Sequence, residues 1–270
     1  MSAAASQKVA FRERTTRALR DSNLQQAMGK ARGGFVDKRL EAMAALPEFD
    51  ETRDAARDIK DHVLANLDGY LELYEQKVIE NGGQVHWART AEEACEIVAD
   101  ICREANAQVV TKGKSMVSEE MHLNSVLEAA GLKVVETDLG EYIVQLAGET
   151  PSHIIAPAVH KTREQITELF HEHHSKLGYT DRVTQREALV NEARSVLRGT
   201  FVTADVGITG ANFLVAETGA NVIVTNEGNG DLTSSLPRVQ IVTAGIEKVI
   251  PSLDDLSVLL RVLARSATGQ

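Results

Sequence analysis

The chain has 270 residues, 43% of them hydrophobic, and a formal net charge of −10. That apolar content supports a sizeable core and excludes global disorder. The acidic balance speaks against a nucleic-acid binder or a protein held on anionic lipid, both of which need a basic surface, but it is compatible with a small anionic substrate gripped by a few local lysines or arginines.

From the N-terminus, MSAAASQKVAFRERTTRALRDS lacks the apolar segment of a secretory signal. No apolar run anywhere reaches the roughly 18–20 residues of a membrane helix, so a cytoplasmic protein without a membrane span is expected. Residues 1–80 are rich in Ala, Arg, Lys, Glu and Asp, which predicts a helical N-terminal extension. Within it, LRDSNLQQAMGKARGGF reads as a helix stopped by Gly33-Gly34. Ala56, Ile59, Val63, Leu67, Tyr70, Leu71 and Tyr74 recur near the helical period and predict one further helix, stopped at Gly82-Gly83.

Residues 81–270 alternate between strand and helix patterns. QVHWA reads as a strand, and TAEEACEIVADICREANA as a helix opened by Thr90. QVVTK, LKVVET and YIVQLA read as strands, and SEEMHLNSVLEAAG as a helix. TREQITELFHEHH, TQREALVNEARSVLRGTF and the closing SLDDLSVLLRVLARSA read as helices, with RVQIVTAG as the last strand. Repeated β–loop–α units imply a largely parallel sheet covered by helices, an α/β fold. Cys95 and Cys102, seven residues apart on one helix face, read as core thiols in a reducing compartment rather than a metal or redox pair.

Several stretches carry candidate chemistry. Val109–Asn124 is a strand, a tight basic loop and a helix, and ligands of open α/β sheets collect where such loops leave the carboxyl ends of strands. Lys112 and Lys114 bring positive charge there, and Ser115 or Ser118 can cap the helix. The segment is either an anion site or a capped helix with solvated lysines, and it matches neither the Walker nor the G-x-G-x-x-G pattern. Val134–Leu146 reads as strand, turn and strand, with Glu136, Asp138 and Glu141 near the turn. Turn chemistry accounts for the Asp and Gly, while the carboxylates would also serve as proton acceptors or hard-metal ligands.

PSHIIAPAVHK places His153 and His160 in an apolar loop stiffened by Pro157, as structural residues or as proton carriers. The three histidines of FHEHHSKLG read as solvated residues that suit a helix end better than a metal. GITGANFLVAETGANVIVTNEGNG (Gly207–Gly230) reads as strands Phe213–Ala216 and Val222–Val224 joined around Thr218-Gly219-Ala220. A phosphate loop fits poorly, because no regular helix onset with a lysine follows. The functional weight there falls on Glu217, Thr218, Asn226, Glu227 and Asn229.

Taken together, KGKSMVSEE, VVETDLGEYIVQL, PSHIIAPAVHK, DVGITGANFLVAETGANVIVTNEGNG, AGIEKVIPS and RSATGQ resemble the lactate-utilization (LUD) domain family over nearly the whole chain. The likeness is to the N-terminal part of its B-type members, the iron–sulfur subunits of a bacterial L-lactate oxidation system. The resemblance implies a Rossmann-like, mostly parallel sheet of the glucosamine-6-phosphate isomerase, ribose-5-phosphate isomerase and CoA-transferase type, with an N-terminal helical extension over 1–80 and the LUD domain over 81–270. It implies a part in oxidation of L-lactate to pyruvate alongside A- and C-type subunits.

B-type subunits continue into a ferredoxin-like region that holds [4Fe–4S] clusters on cysteine thiolates. With only Cys95 and Cys102, no cofactor or metal is expected within this chain, and the 270 residues are expected to be a piece of a longer subunit. From their chemistry, Lys112 and Lys114 would hold a small carboxylate such as lactate or pyruvate, with Ser115, Thr218, Asn226 and Asn229 supplying hydrogen bonds. His153 or His160 would move a proton, and Glu141, Glu217 and Glu227 would orient the ligand or act as alternative bases. Two rival expectations are an isomerase or acyl/CoA-transferase-like enzyme, with Glu217 or Glu227 essential, and a non-catalytic assembly module of the lactate-oxidation complex.

Overall fold

The computed structural model describes residues 3–154, 156–267 and 269. Four helices come first: α1 (Ala3–Arg20), α2 (Ser22–Ala44), α3 (Phe49–Ala65) and α4 (Leu67–Glu80). Helix α2 runs through Gly33-Gly34 instead of stopping there. Its Ala, Arg, Lys and Leu residues are strong helix formers, and a glycine that stays helical costs only about 1 kcal/mol. The single helix expected next is broken at Asn66, whose backbone leaves the helical region and whose side-chain amide bonds the His62 carbonyl at 2.9 Å. Such local side-chain bonding competes with helix continuation. The expected stop after Glu80 is present, with Gly82 at φ 83°.

QVHWA forms no strand; five alternating residues find no neighbour to pair with, and Trp87 bonds Glu75 through Nε1 instead. Then follow α5 (Ala91–Glu104), β1 (Val109–Gly113), α6 (Met116–Glu120), α7 (Leu123–Ala129), β2 (Lys133–Glu136), α8 (Leu139–Ala147), α9 (Arg163–His174) and α10 (Arg186–Thr203). The helix expected over SEEMHLNSVLEAAG is split into α6 and α7 at His122, which sits at φ 55°.

YIVQLA is helix α8, not a strand. Leu139, Tyr142, Ile143 and Leu146 fit helical spacing as well as alternation fits a strand, and the capping chemistry decides: Asp138 accepts from the Gly140 N–H and Gly148 closes the far end left-handed. From α8 the Gln145 amide bonds both the Glu136 N–H and the Val134 carbonyl, at 3.0 Å each, covering the open edge of β2.

The remaining elements are β3 (Val206–Gly210), β4 (Phe213–Val215), β5 (Ala220–Val222), α11 (Asn229–Ser235), β6 (Val239–Thr243), β7 (Val249–Ile250) and α12 (Leu253–Ala267). The expected hairpin forms, with β5 at 220–222 rather than 222–224. Within TNEGNG a short helix, α11, begins at Asn229, and it carries no lysine, so the phosphate-loop pattern is absent as expected.

Four parallel strands in the order β2-β1-β3-β6 make the main sheet, in register Thr111↔Val135, Thr111↔Gly207 and Gly207↔Gln240. One face packs Val110, Val134, Val206 and Ile208 against α5 and α7, where Cys95 and Cys102 are buried thiols. The other packs Val135 against Tyr142, Phe170, Leu189 and Leu197 of α8, α9 and α10. The expected α/β class is therefore observed, with a helical N-terminal part. A smaller mixed sheet, β5-β4-β7, is flanked by α4 on one side and by α3 and α12 on the other.

Gly207 lets α11 lie directly on β3, because a Cβ there would run into the Thr233 carbonyl oxygen. Backbone on both sides leaves no soft neighbour to yield. Gly207→Ala is expected to lower stability by roughly 1–3 kcal/mol or more, read as a lower urea midpoint at unchanged slope.

Candidate functional site

The carboxyl ends of the parallel strands collect most of the polar residues expected to matter. β1 ends in Lys112-Gly113 and β2 in Glu136, and these positions lie side by side as Lys112↔Glu136. The Lys112 side chain is fully buried. Its ammonium pairs with Glu119 of α6 and with Glu136 at 2.8 Å, and reaches Ser118 Oγ at 3.2 Å. Burial works against its charge, but the two carboxylates outweigh it and hold the amine above its usual range. Lys112 is therefore an internal ion-pair partner, not a charge offered to a ligand.

Lys114 follows β1 in left-handed backbone, at φ 57°. Its ammonium ties two other segments to its own loop: Asp138 Oδ2 lies at 2.9 Å, and from the loop before α11 Glu227 Oε2 lies at 3.2 Å and Asn226 Oδ1 at 3.4 Å. Burial lowers its proton affinity, but Asp138 and Glu227 outweigh that and hold the amine above its usual range. The Lys114 N–H reaches Glu141 Oε2 at 3.3 Å. Glu141 is buried on α8, and burial, reinforced by the nearby charge of Glu136 and opposed by Lys112, lifts its carboxyl to about 8. A carboxylic acid that keeps its proton near neutrality beside a lysine can donate a hydrogen bond or a proton.

Ser115, rather than Ser118, is the cap: its Oγ accepts from the Ser118 N–H and shares a 2.7 Å hydrogen bond with Thr243 at the end of β6. Asn229, the first residue of α11, is 7% exposed, and neither Nδ2 nor Oδ1 has a hydrogen-bond partner among the described residues. The strand ends thus gather Lys112, Lys114, Ser115, Glu141, Asn226, Glu227 and Asn229.

The other candidates lie elsewhere. Glu217 is exposed on the smaller sheet and accepts from the Leu253 N–H at 2.7 Å, securing the start of α12. Thr218 closes the hairpin by accepting from the Ala220 N–H. His160 lies between Ser152 Oγ at 2.6 Å and Glu149 Oε2 at 2.8 Å, within its own loop. His153 stacks on Phe35 of α2 and accepts from the Ala156 N–H. Pro157 brings that loop against the start of α8 at Gly140; Ile155 lies outside the described residues.

A family model described as LUD domain matches residues 71–270. The chain belongs to the LUD domain family. It is 46% identical over 261 residues to Lactate utilization protein B of Bacillus licheniformis, covering 96% of this chain and 54% of that protein. To Lactate utilization protein B of Bacillus subtilis it is 45% identical over 262 residues, covering 97% and 54%. To the Escherichia coli protein named Uncharacterized electron transport protein YkgF it is 43% identical over 259 residues, covering 96% and 54%. The chain spans about half the length of these curated relatives. No solved structure matches it.

One polar cluster of this LUD domain was hidden from sequence reasoning. His174, expected to be solvated, is fully buried on α9. Its Nδ1 lies 2.7 Å from Glu192 Oε1 and its Nε2 2.9 Å from the Tyr142 hydroxyl, and its ring packs 4.4 Å from that of Phe170. Both ring nitrogens are satisfied, so the residue ties α8, α9 and α10 together as a structural histidine. The only signal in the sequence was its place at the fourth and eighth residue after Phe170 and Ile166, the inward face of α9.

Proposed function

We propose that this LUD domain is part of a lactate-utilization B-type subunit and that its strand-end site binds a small carboxylate such as lactate or pyruvate. The observation that carries the reading is the meeting of Asp138, Asn226 and Glu227 on the Lys114 ammonium, above the buried acid of Glu141. The lactate-utilization proteins to which the chain is similar suggest the metabolic setting. Lys114 holds the ligand carboxylate, and Glu141 donates to it or to the neighbouring oxygen. His153 and His160 would join as proton carriers only by movement of the 151–161 loop.

Two buried cysteines on one helix do not form the four-thiolate cradle of a [4Fe–4S] cluster. In this reading the clusters expected of a B-type subunit are held by residues other than Cys95 and Cys102. Among the described residues no helix is long and apolar enough to cross a membrane, in keeping with the cytoplasmic setting proposed here. Isothermal titration of the chain with L-lactate and pyruvate tests the reading. Binding that drops at least tenfold in Lys114→Ala is expected, and equal binding by both proteins would defeat it.

A second reading, docking of partner subunits, is favoured by the N-terminal helices. Phe11, Leu19, Val36 and Leu40 are exposed there, and a groove of about 610 Å³ is lined by Arg12, Glu13, Thr16, Arg17, Arg20 and Asp21. An A- or C-type subunit would bind this arm without using the strand-end site.

A further inference from the structure

Lys114 is saturated by groups of its own chain, and those groups differ in how firmly they are held. Asp138 is part of the fold: its other oxygen accepts from the Gly140 N–H, and its side chain is 19% exposed. Glu227 is 51% exposed, on the loop between β5 and α11, and its one ion pair among the described residues is that with Lys114. Immediately after it, Gly228 adopts φ 77°, and Gly230 packs tightly on Thr225, where a Cβ would sit 2.7 Å from Thr225 Cγ2 and in ordinary contact with the Lys114 stem. Between these glycines is Asn229, a buried amide with both polar atoms unpaired. An unpaired amide in the interior costs on the order of 1–3 kcal/mol; placed beside the loop that clamps Lys114, it marks a subsite that a ligand would complete.

We propose that Glu227 occupies the ligand's place on Lys114, and that a 2-hydroxy carboxylate displaces it and pairs with the Asn229 amide. The inference rests on the strand-end pocket reading. An amide edge presents one acceptor and one donor side by side. A 2-hydroxy carboxylate turns a complementary edge toward it: the hydroxyl donates to Oδ1 while a carboxylate oxygen accepts from Nδ2. A 2-oxo carboxylate offers two acceptors on the same edge, leaving Oδ1 facing a lone pair. A site with a buried polar group that needs the ligand's O–H discriminates strongly against the analogue lacking it.

The test is titration of the wild-type chain, Glu227→Gln, Asn229→Leu and Lys114→Ala with L-lactate and with pyruvate. Glu227→Gln removes the internal competitor's charge at a half-exposed position, so the fold is retained and affinity for L-lactate rises roughly tenfold. Asn229→Leu keeps the volume, and the preference for L-lactate over pyruvate, expected at roughly tenfold or more, falls to near unity. Asn229→Ala serves as a second probe if circular dichroism shows that the leucine variant is misfolded. Lys114-dependent binding that is unchanged or weakened by Glu227→Gln overturns this inference and leaves the pocket standing, as does equal affinity for the two acids. Absence of binding by both the wild type and Glu227→Gln overturns the inference and the pocket together.

Discussion

Replacing Lys112 by Met lowers stability by about 3–5 kcal/mol, seen as a large fall in the urea midpoint. The ammonium is the one cation against Glu136 among the described contacts, and Glu136 is 2% exposed. Its Oε1 also accepts from Asn124 at 2.6 Å, but Oε2 already lacks a partner. Losing the cation would strand a buried carboxylate, which costs far more than losing a solvent-exposed pair such as Arg57 with Asp54. Lys112→Met combined with Glu136→Leu is expected to recover most of the loss, because an apolar pair of similar volume can replace a buried ion pair. A double variant as unstable as the sum of its parts would instead point to specific packing around the ammonium.

Glu141→Gln removes a pH-dependent cost from the folded chain. Below the ordinary carboxyl value of 4.5 both folded and unfolded chains hold the proton, and the stability is fully present. From there to about 8 only the folded chain holds it, so stability falls as pH rises. Above that value both states have released it, and the whole loss is on the order of 3–5 kcal/mol. The variant, with an uncharged amide of the same shape, should show a flatter profile of melting temperature between pH 5 and 8 and exceed the wild type at about pH 8 and above. Identical slopes for the two proteins would mean that Glu141 ionises in the fold like an exposed carboxyl. The same proton is what equips Glu141 to donate to a ligand at neutral pH, so the stability profile and the proposed chemistry stand on one property.

Much of the fold was legible because composition and periodicity act locally. Thr90 caps α5, Thr162 and Gln165 form a capping box at α9, and the parallel strands QVVTK and LKVVET lie where their apolar runs placed them. The failures share a cause: tertiary partners chose between two locally acceptable states. YIVQLA carries both strand-like and helix-like spacing, and the Asp138 cap with the Gln145 bonds to β2 settled it as helix. QVHWA had the alternation of a strand and nothing to pair with.

The site was legible as a set of loops but not as a set of pairings. Strand-end position singled out Lys114, Glu141, Asn226, Glu227 and Asn229. No spacing in the sequence could show that Lys112 turns inward to Glu136, or that Glu217 is spent securing α12. Nor could it show that His174 faces Glu192 across eighteen residues, since that contact is made by two helices packing.

The central claim, a small-carboxylate site at the strand ends, is tested most directly by following backbone amide resonances of the chain during titration with L-lactate. Saturable shifts at Gly113–Ser115, Asp138–Glu141 and Asn226–Gly230, with quiet resonances on α1, α2 and the β4–β5 hairpin, are the predicted result. Shifts confined to the N-terminal helices, or none at any concentration up to the solubility of the salt, would contradict it.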